Sequence, residues 1–230
     1  MSHTIKKPAL FWYLTEGIRG TLQILWCYFF VRRYDYSQQG DGHPVVVVPG
    51  FLGSDLSTTL LRKFIQRLGY TVYGWELGRN LGNLDDLQRL TDRIETIHQQ
   101  HGRQVTLIGW SLGGIYVREC AKMDVTAIRQ IITLGSPFAD LNAPNHARWI
   151  FDLIRSGEQL DQDWIAKVAE PVPVRTTCFY SKRDGIVPWQ ACMEKNTDAL
   201  HQNIEAKSSH VGFVGNVGVF RVLARLLRLG

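Results

Sequence analysis

The chain has 230 residues, 45% of them hydrophobic and 20% charged, with a net charge of +5. These proportions exclude a disordered chain and suit one large domain with a core of its own. The basic residues are scattered, with no run of five or six Lys or Arg, so a nucleic-acid-binding arm is excluded as well.

The chain opens on an apolar stretch, residues 9–31, preceded by Lys6 and Lys7. It is long enough to span a bilayer, but Glu16 and Arg19 lie inside it, each costing about 2.5–3.5 kcal/mol near a bilayer centre. No small-residue cleavage site follows, so a secretory signal is not expected. Phe11, Leu14, Ile18, Leu22, Leu25 and Phe29 recur at three- and four-residue spacing, which predicts one or two amphipathic helices. The stripe is expected to pack on the domain's own core. Its aromatic load keeps peripheral membrane contact through residues 9–31 as the alternative. The predicted organisation is an amphipathic helical segment over 1–36 and a main domain over 37–230.

Val45 to Val48 is a β-branched run without polar alternation, the pattern of a strand buried on both faces of a parallel sheet. Further strands are predicted over 70–75, 105–108, 128–134, 174–180 and 204–206. Helices are predicted over 55–68, 85–101, 112–123 and 213–229. Strands alternating with helices imply right-handed crossovers and a sheet covered on both faces. Residues 138–173 interrupt the alternation and read as a small lid-like insertion, with Trp149, Ile150, Leu153 and Ile154 at helical spacing.

Gly109-Trp110-Ser111-Leu112-Gly113 follows a strand and opens a helix. G-x-S-x-G in that context is a nucleophile elbow, a tight turn whose glycines make room for an exposed serine hydroxyl. A serine nucleophile needs a base and an acid to orient it. In hydrolases with this elbow the order is Ser, acid, His, and the chain supplies Asp184 after the fifth predicted strand and His210 after the sixth. Asp140 is the alternative acid. His98 and His101 lie on a helix end, His146 in the insertion, and His201 at the opposite end of the sheet. Donors for a developing oxyanion are expected from the backbone N–H of Leu112 and of Phe51, with that of Leu52 second to Phe51. Leu52, Trp75, Trp110, Phe138 and Trp189 are candidate walls of an apolar substrate pocket.

Four cysteines, Cys27, Cys120, Cys178 and Cys192, show neither C-x-x-C spacing nor a nearby histidine cluster. No metal, disulfide framework or other cofactor is expected, and the cytoplasm is the default compartment, with membrane association through the first helix the open alternative.

These motifs make the chain resemble the α/β-hydrolase-fold serine esterases and lipases, from about residue 45 to the C-terminus. The resemblance implies a three-layer α/β/α fold whose mostly parallel sheet is trimmed here to about six strands. Many members carry His-Gly at the oxyanion loop. Pro49-Gly50 is similar to the loop of lecithin:cholesterol acyltransferase-like and some fungal lipases. The implied activity is hydrolysis of a small-molecule acyl ester or lipid. Thioesterase and acyltransferase chemistry on the same machinery, and a non-catalytic lipid-binding role, are the alternatives.

Overall fold

The computed structural model describes residues 5–146 and 162–229. Its centre is the valine run. In β1 (Pro44–Val48) successive side chains alternate between faces, so Val45 and Val47 enter one apolar cluster and Val46 and Val48 another. A strand that must be apolar on both sides belongs inside a two-faced sheet, and β1 pairs in parallel with β2 (Thr71–Gly74) on one side and β3 (Val105–Trp110) on the other. Strands β4 (Ile128–Leu134), β5 (Arg175–Tyr180) and β6 (His201–Glu205) extend the sheet in the order β2-β1-β3-β4-β5-β6, every pair parallel.

Helices cover both faces. Two N-terminal helices, α1 (Leu10–Leu14) and α2 (Glu16–Arg33), precede the sheet. On the Val45 face α2 packs with α3 (Thr59–Arg67) and the last helix, α7 (Val217–Leu229), through Cys27, Phe64 and Phe220. On the Val46 face lie α4 (Asp85–His101) and α5 (Leu112–Met123), through Leu90, Ile94 and Val117. Gly102, in the left-handed region at φ 59°, ends α4 as a C-cap. The fold is thus a three-layer α/β/α sandwich around a six-stranded parallel sheet.

Several expected boundaries move: the last helix, expected from 213, begins at Val217 after a 3₁₀ turn, Val211–Gly215, and the strand expected over 105–108 runs on to Trp110. The helix expected over 55–68 begins as a 3₁₀ turn, Asp55–Thr58, and the sixth strand starts at His201 rather than 204. Of the insertion, α6 (Gln162–Val168) is described, and Val168 packs with Phe138 and Ile115. The helical pattern from Trp149 to Ile154 lies outside the described residues.

The N-terminal stripe faces the opposite way from the expectation. Phe11, Leu14, Ile18, Leu22, Leu25 and Phe29 are all exposed, Leu14 and Ile18 at 70%. The face of α2 that is buried carries Glu16, Gly20, Cys27 and Val31. Close approach decides this: a Cβ on Gly20 would stand 3.1 Å from Val211 Cβ, so the small-residue side, not the bulky one, meets the domain.

The four cysteines are free and buried, and burial pushes the thiols of Cys27, Cys120 and Cys178 up to about 12.

Candidate active site

The sheet order reverses between β1 and β3, and ligands of open α/β sheets bind at the carboxyl ends of the strands at such a point. Two loops meet there: residues 49–53 after β1 and the turn from β3 into α5. Ser111 occupies that turn at φ 53°, ψ −121°, a strained backbone for a residue with a side chain. Space explains the glycines around it. A Cβ on Gly109 would fall 2.3 Å from the Gly113 carbonyl oxygen, and one on Gly113 2.4 Å from the Val48 carbonyl oxygen. The helix can start this close to β1 and β3 only without those side chains.

His210 Nε2 lies 2.9 Å from Ser111 Oγ, and its Nδ1 lies 2.7 Å from Asp184 Oδ2. With Nδ1–H donated to the carboxylate, Nε2 is left to accept from the serine hydroxyl. The Asp184 side chain is almost wholly buried, and its Oδ1 accepts the N–H groups of Ile186 at 2.8 Å and Val187 at 2.9 Å. One carboxylate oxygen is therefore committed to the loop and the other to the imidazole. Burial disfavours a charged His210, but the Asp184 charge and hydrogen bond, joined by the charge of Glu16, outweigh it and hold the imidazole above its ordinary value. The structure thus brings together Ser111, Asp184 and His210 from three separate strand ends.

Asp140, the alternative acid, instead accepts the N–H of Asn142 at 3.0 Å in its own turn. The other histidines among the described residues are engaged elsewhere: His43 with Asp41 and Thr106, His98 with the Arg103 carbonyl, His101 with the Tyr73 hydroxyl, His146 stacked on Tyr13, and His201 between Asp198 and the Val172 carbonyl.

Among the expected oxyanion donors, Leu112 is the first residue of α5, where an amide has no carbonyl of its own helix to bond. Phe51 lies in the turn after β1. Leu52, at φ 61°, donates its N–H to the Asn80 carbonyl at 2.7 Å, so that amide is already committed. Asn80 was not singled out in the sequence, yet it is fully buried and organises this loop. Its side-chain amide donates to the Pro49 carbonyl at 2.9 Å, and its backbone N–H donates to the Gly53 carbonyl at 2.8 Å.

The expected pocket walls divide. Trp75 and Phe138 are fully buried. Trp75 sits in the Val46-side core with Nε1 donating to the Gly78 carbonyl, and Phe138 lies under the guanidinium of Arg118, 3.7 Å from its ring. Both are packing residues as placed; aromatic composition alone does not distinguish a wall from a floor beneath it. Arg118, itself buried, pairs with Glu194 and donates to the Glu170 carbonyl, tying the segments around the insertion together. Trp110 is half-buried and donates Nε1–H to the His210 carbonyl at 3.0 Å, fixing the histidine's backbone. Trp189 is half-buried beside Tyr180 and Lys182, and Leu52 is half-buried next to the elbow loop.

A second carboxylate, unremarked in the sequence beyond its interruption of an apolar run, also reaches the site. Glu16 Oε2 accepts the N–H of Gly185 at 3.0 Å and Oε1 that of Val211 at 2.9 Å. Arg19 pairs with Glu16 and donates to the Arg183 carbonyl, while Gln23 Oε1 accepts from the Ser209 hydroxyl. Helix α2 therefore holds both the acid loop and the histidine loop. The signal for this was a charged residue on the side of the helix opposite the apolar stripe.

The chain belongs to the alpha/beta hydrolase family, whose model matches residues 45–206. No curated protein sequence matches it. Solved structures similar to it include the mature form of a Bacillus licheniformis lipase, at TM-score 0.60 and 16% identity over 85% of this chain and 95% of that one. A metagenome-derived structure reported with the lipolytic enzymes LipS and LipT is similar at TM-score 0.62 and 17% identity, over 84% and 96% of the two chains. Lipase B of Aspergillus fumigatus is similar at TM-score 0.64 and 15% identity over 85% of this chain, which spans 54% of that longer one.

Proposed function

We propose that the protein is a serine hydrolase of carboxylic esters, with Ser111 as nucleophile, His210 as general base and Asp184 as the acid that orients it. The observation that carries this reading is the unbroken line from Asp184 Oδ2 through the imidazole to Ser111 Oγ, at 2.7 and 2.9 Å. Ser111 Oγ attacks the ester carbonyl while its proton passes to His210 Nε2. The Leu112 and Phe51 amides take the oxyanion, and the Pro49-Gly50 loop, similar to that of lecithin:cholesterol acyltransferase-like lipases, supports a donor from that side. The intermediate expels the alcohol, which receives the proton from His210. Water, deprotonated by the same imidazole, then attacks the acyl-Ser111 carbonyl, and collapse frees the acid and restores the serine.

The esterase and lipase neighbours support an acyl or lipid-like ester as substrate, with Leu52, Trp110 and Trp189 as the apolar side chains around the site. The test is covalent labelling by a fluorophosphonate, together with turnover of p-nitrophenyl esters of graded chain length. Labelling of the intact chain and its loss in Ser111→Ala support the reading. A chain that resists the reagent and cleaves no ester of any length is not this enzyme.

A further inference from the structure

We propose that the outward face of α1 and α2 is a docking surface for an anionic phospholipid bilayer, on which the protein lies without crossing it. Among the described residues, nine of the fifteen large exposed hydrophobic side chains belong to residues 10–29. Leu14, Ile18, Leu22, Leu25 and Trp26 follow one another at helical spacing and stand 53–71% exposed. Scattered apolar side chains are ordinary on a surface, but a contiguous row about 18 Å long, from the end of α1 along α2, is not. No described helix is long and apolar enough to cross a membrane, so the row is suited to lying in an interface.

The charges decide what covers it. Between Ile5 and Arg33 the chain carries Lys6, Lys7, Arg19, Arg32 and Arg33, and its single acid, Glu16, is turned inward and buried. The exposed charges of this segment are therefore all positive, with Lys6 and Lys7 before the row and Arg32 and Arg33 at its end. A second copy seated on the stripe would meet like charge in either sense. Parallel helices would set Lys6 and Lys7 against their counterparts, and antiparallel ones would set them against Arg32 and Arg33. Anionic headgroups have the complementary charge, and Trp26 and Tyr28 belong to the residue types that settle at the headgroup boundary. The inward face of the same helix is already occupied by the domain, so docking needs no rearrangement of the fold.

The experiment uses the full chain and two vesicle preparations, phosphatidylcholine alone and phosphatidylcholine mixed equally with phosphatidylglycerol. The readouts are co-sedimentation and tryptophan emission. The expected result is binding to the mixed vesicles with a blue-shifted emission, weakened by raised salt. The triple variant Ile18→Asn, Leu22→Asn, Leu25→Asn is expected to bind about tenfold more weakly or less. These side chains are exposed, and an unchanged melting temperature shows that the fold is kept. Lys6→Glu with Lys7→Glu tests the charge separately and is expected to weaken binding to the mixed vesicles. Absence of binding to the mixed vesicles overturns the proposal. Equal binding to the neutral vesicles overturns the anionic choice. A dimer in sedimentation equilibrium that the triple variant converts to monomer assigns the stripe to a second copy and also overturns it. Because binding is scored without turnover, its failure is distinct from a failure of the hydrolase reading.

Discussion

Glu16 and His210, 194 positions apart, are joined through one peptide unit: the carboxylate of the first accepts the N–H of Val211, the residue directly after the second. The other oxygen of Glu16 accepts the N–H directly after Asp184. A buried carboxylate thus sets the relative position of the Asp184 and His210 loops, and its charge favours protonated His210.

Glu16 is accordingly a positioning residue. Glu16→Ala is expected to lower kcat about 10- to 100-fold by loosening both loops, with KM little altered. Glu16→Gln keeps the side chain's size and removes its charge, so the acid limb of the pH–rate profile should move to lower pH. An unmoved limb in Glu16→Gln would confine Glu16 to a structural part.

Asp184→Asn is expected to cut kcat by about 10⁴-fold, because an amide that donates toward Nδ1 favours the wrong tautomer. Asp140→Asn should leave the rate within about twofold, since Asp140 serves only its own turn. Hydrolysis of one p-nitrophenyl ester by both variants decides between them. An inactive Asp140→Asn beside a fully active Asp184→Asn would exchange their parts.

The raised pKa of His210 links rate and stability with opposite signs. The general base works only when neutral, so kcat/KM should climb with pH at a midpoint above the ordinary imidazole value of about 6.5. A group whose folded pKa is raised stabilises the native state fully below its unfolded pKa, and that stabilisation fades as pH rises through the folded value. Melting temperature, taken relative to His210→Gln, should therefore fall over the window in which activity rises. A midpoint at or below 6.5 would contradict this account.

Two glycines give opposite expectations for one substitution. Gly113→Ala places a methyl carbon against the Val48 and Pro49 carbonyl oxygens, 2.4 and 2.6 Å away, where backbone must move. The expected cost is about 1–3 kcal/mol or more in urea unfolding, with loss of labelling at Ser111. Gly17→Ala, on α2 with nothing within 4 Å of the new carbon, should be neutral or gain up to about 1 kcal/mol.

Much of the site was legible because its residues follow strands, and strand ends can be read from short β-branched runs bounded by breakers. Ser111 and Asp184 follow such runs, while His210 follows a more polar strand with Ile204 alone β-branched, and a parallel sheet delivers all three to one edge. The elbow was legible from steric need at Gly109 and Gly113. Less legible was anything set by which side of an element faces inward. The periodicity of residues 11–29 identifies an amphipathic helix, but the domain takes its other face, through Gly20, Cys27 and the hydrogen bonds of Glu16 and Gln23. Hydrophobic spacing carries no information about close backbone approach or about amides awaiting an acceptor. The burial of Trp75 and Phe138 was illegible for a related reason: large aromatics suit an open pocket and a sealed core equally well. Asn80 had no sequence signal beyond its place between Gly78 and Gly82.

The strap formed by α2 has a consequence for how the protein is made. The amides it accepts from, in the turns near 184 and 210, follow Glu16 by 169 and 195 residues and leave the ribosome that much later. The helix must wait, with its inner carboxylate unmatched, until the chain through Val211 has been translated. A nascent chain already long enough to display Ser111 is therefore still without the imidazole of the proposed triad.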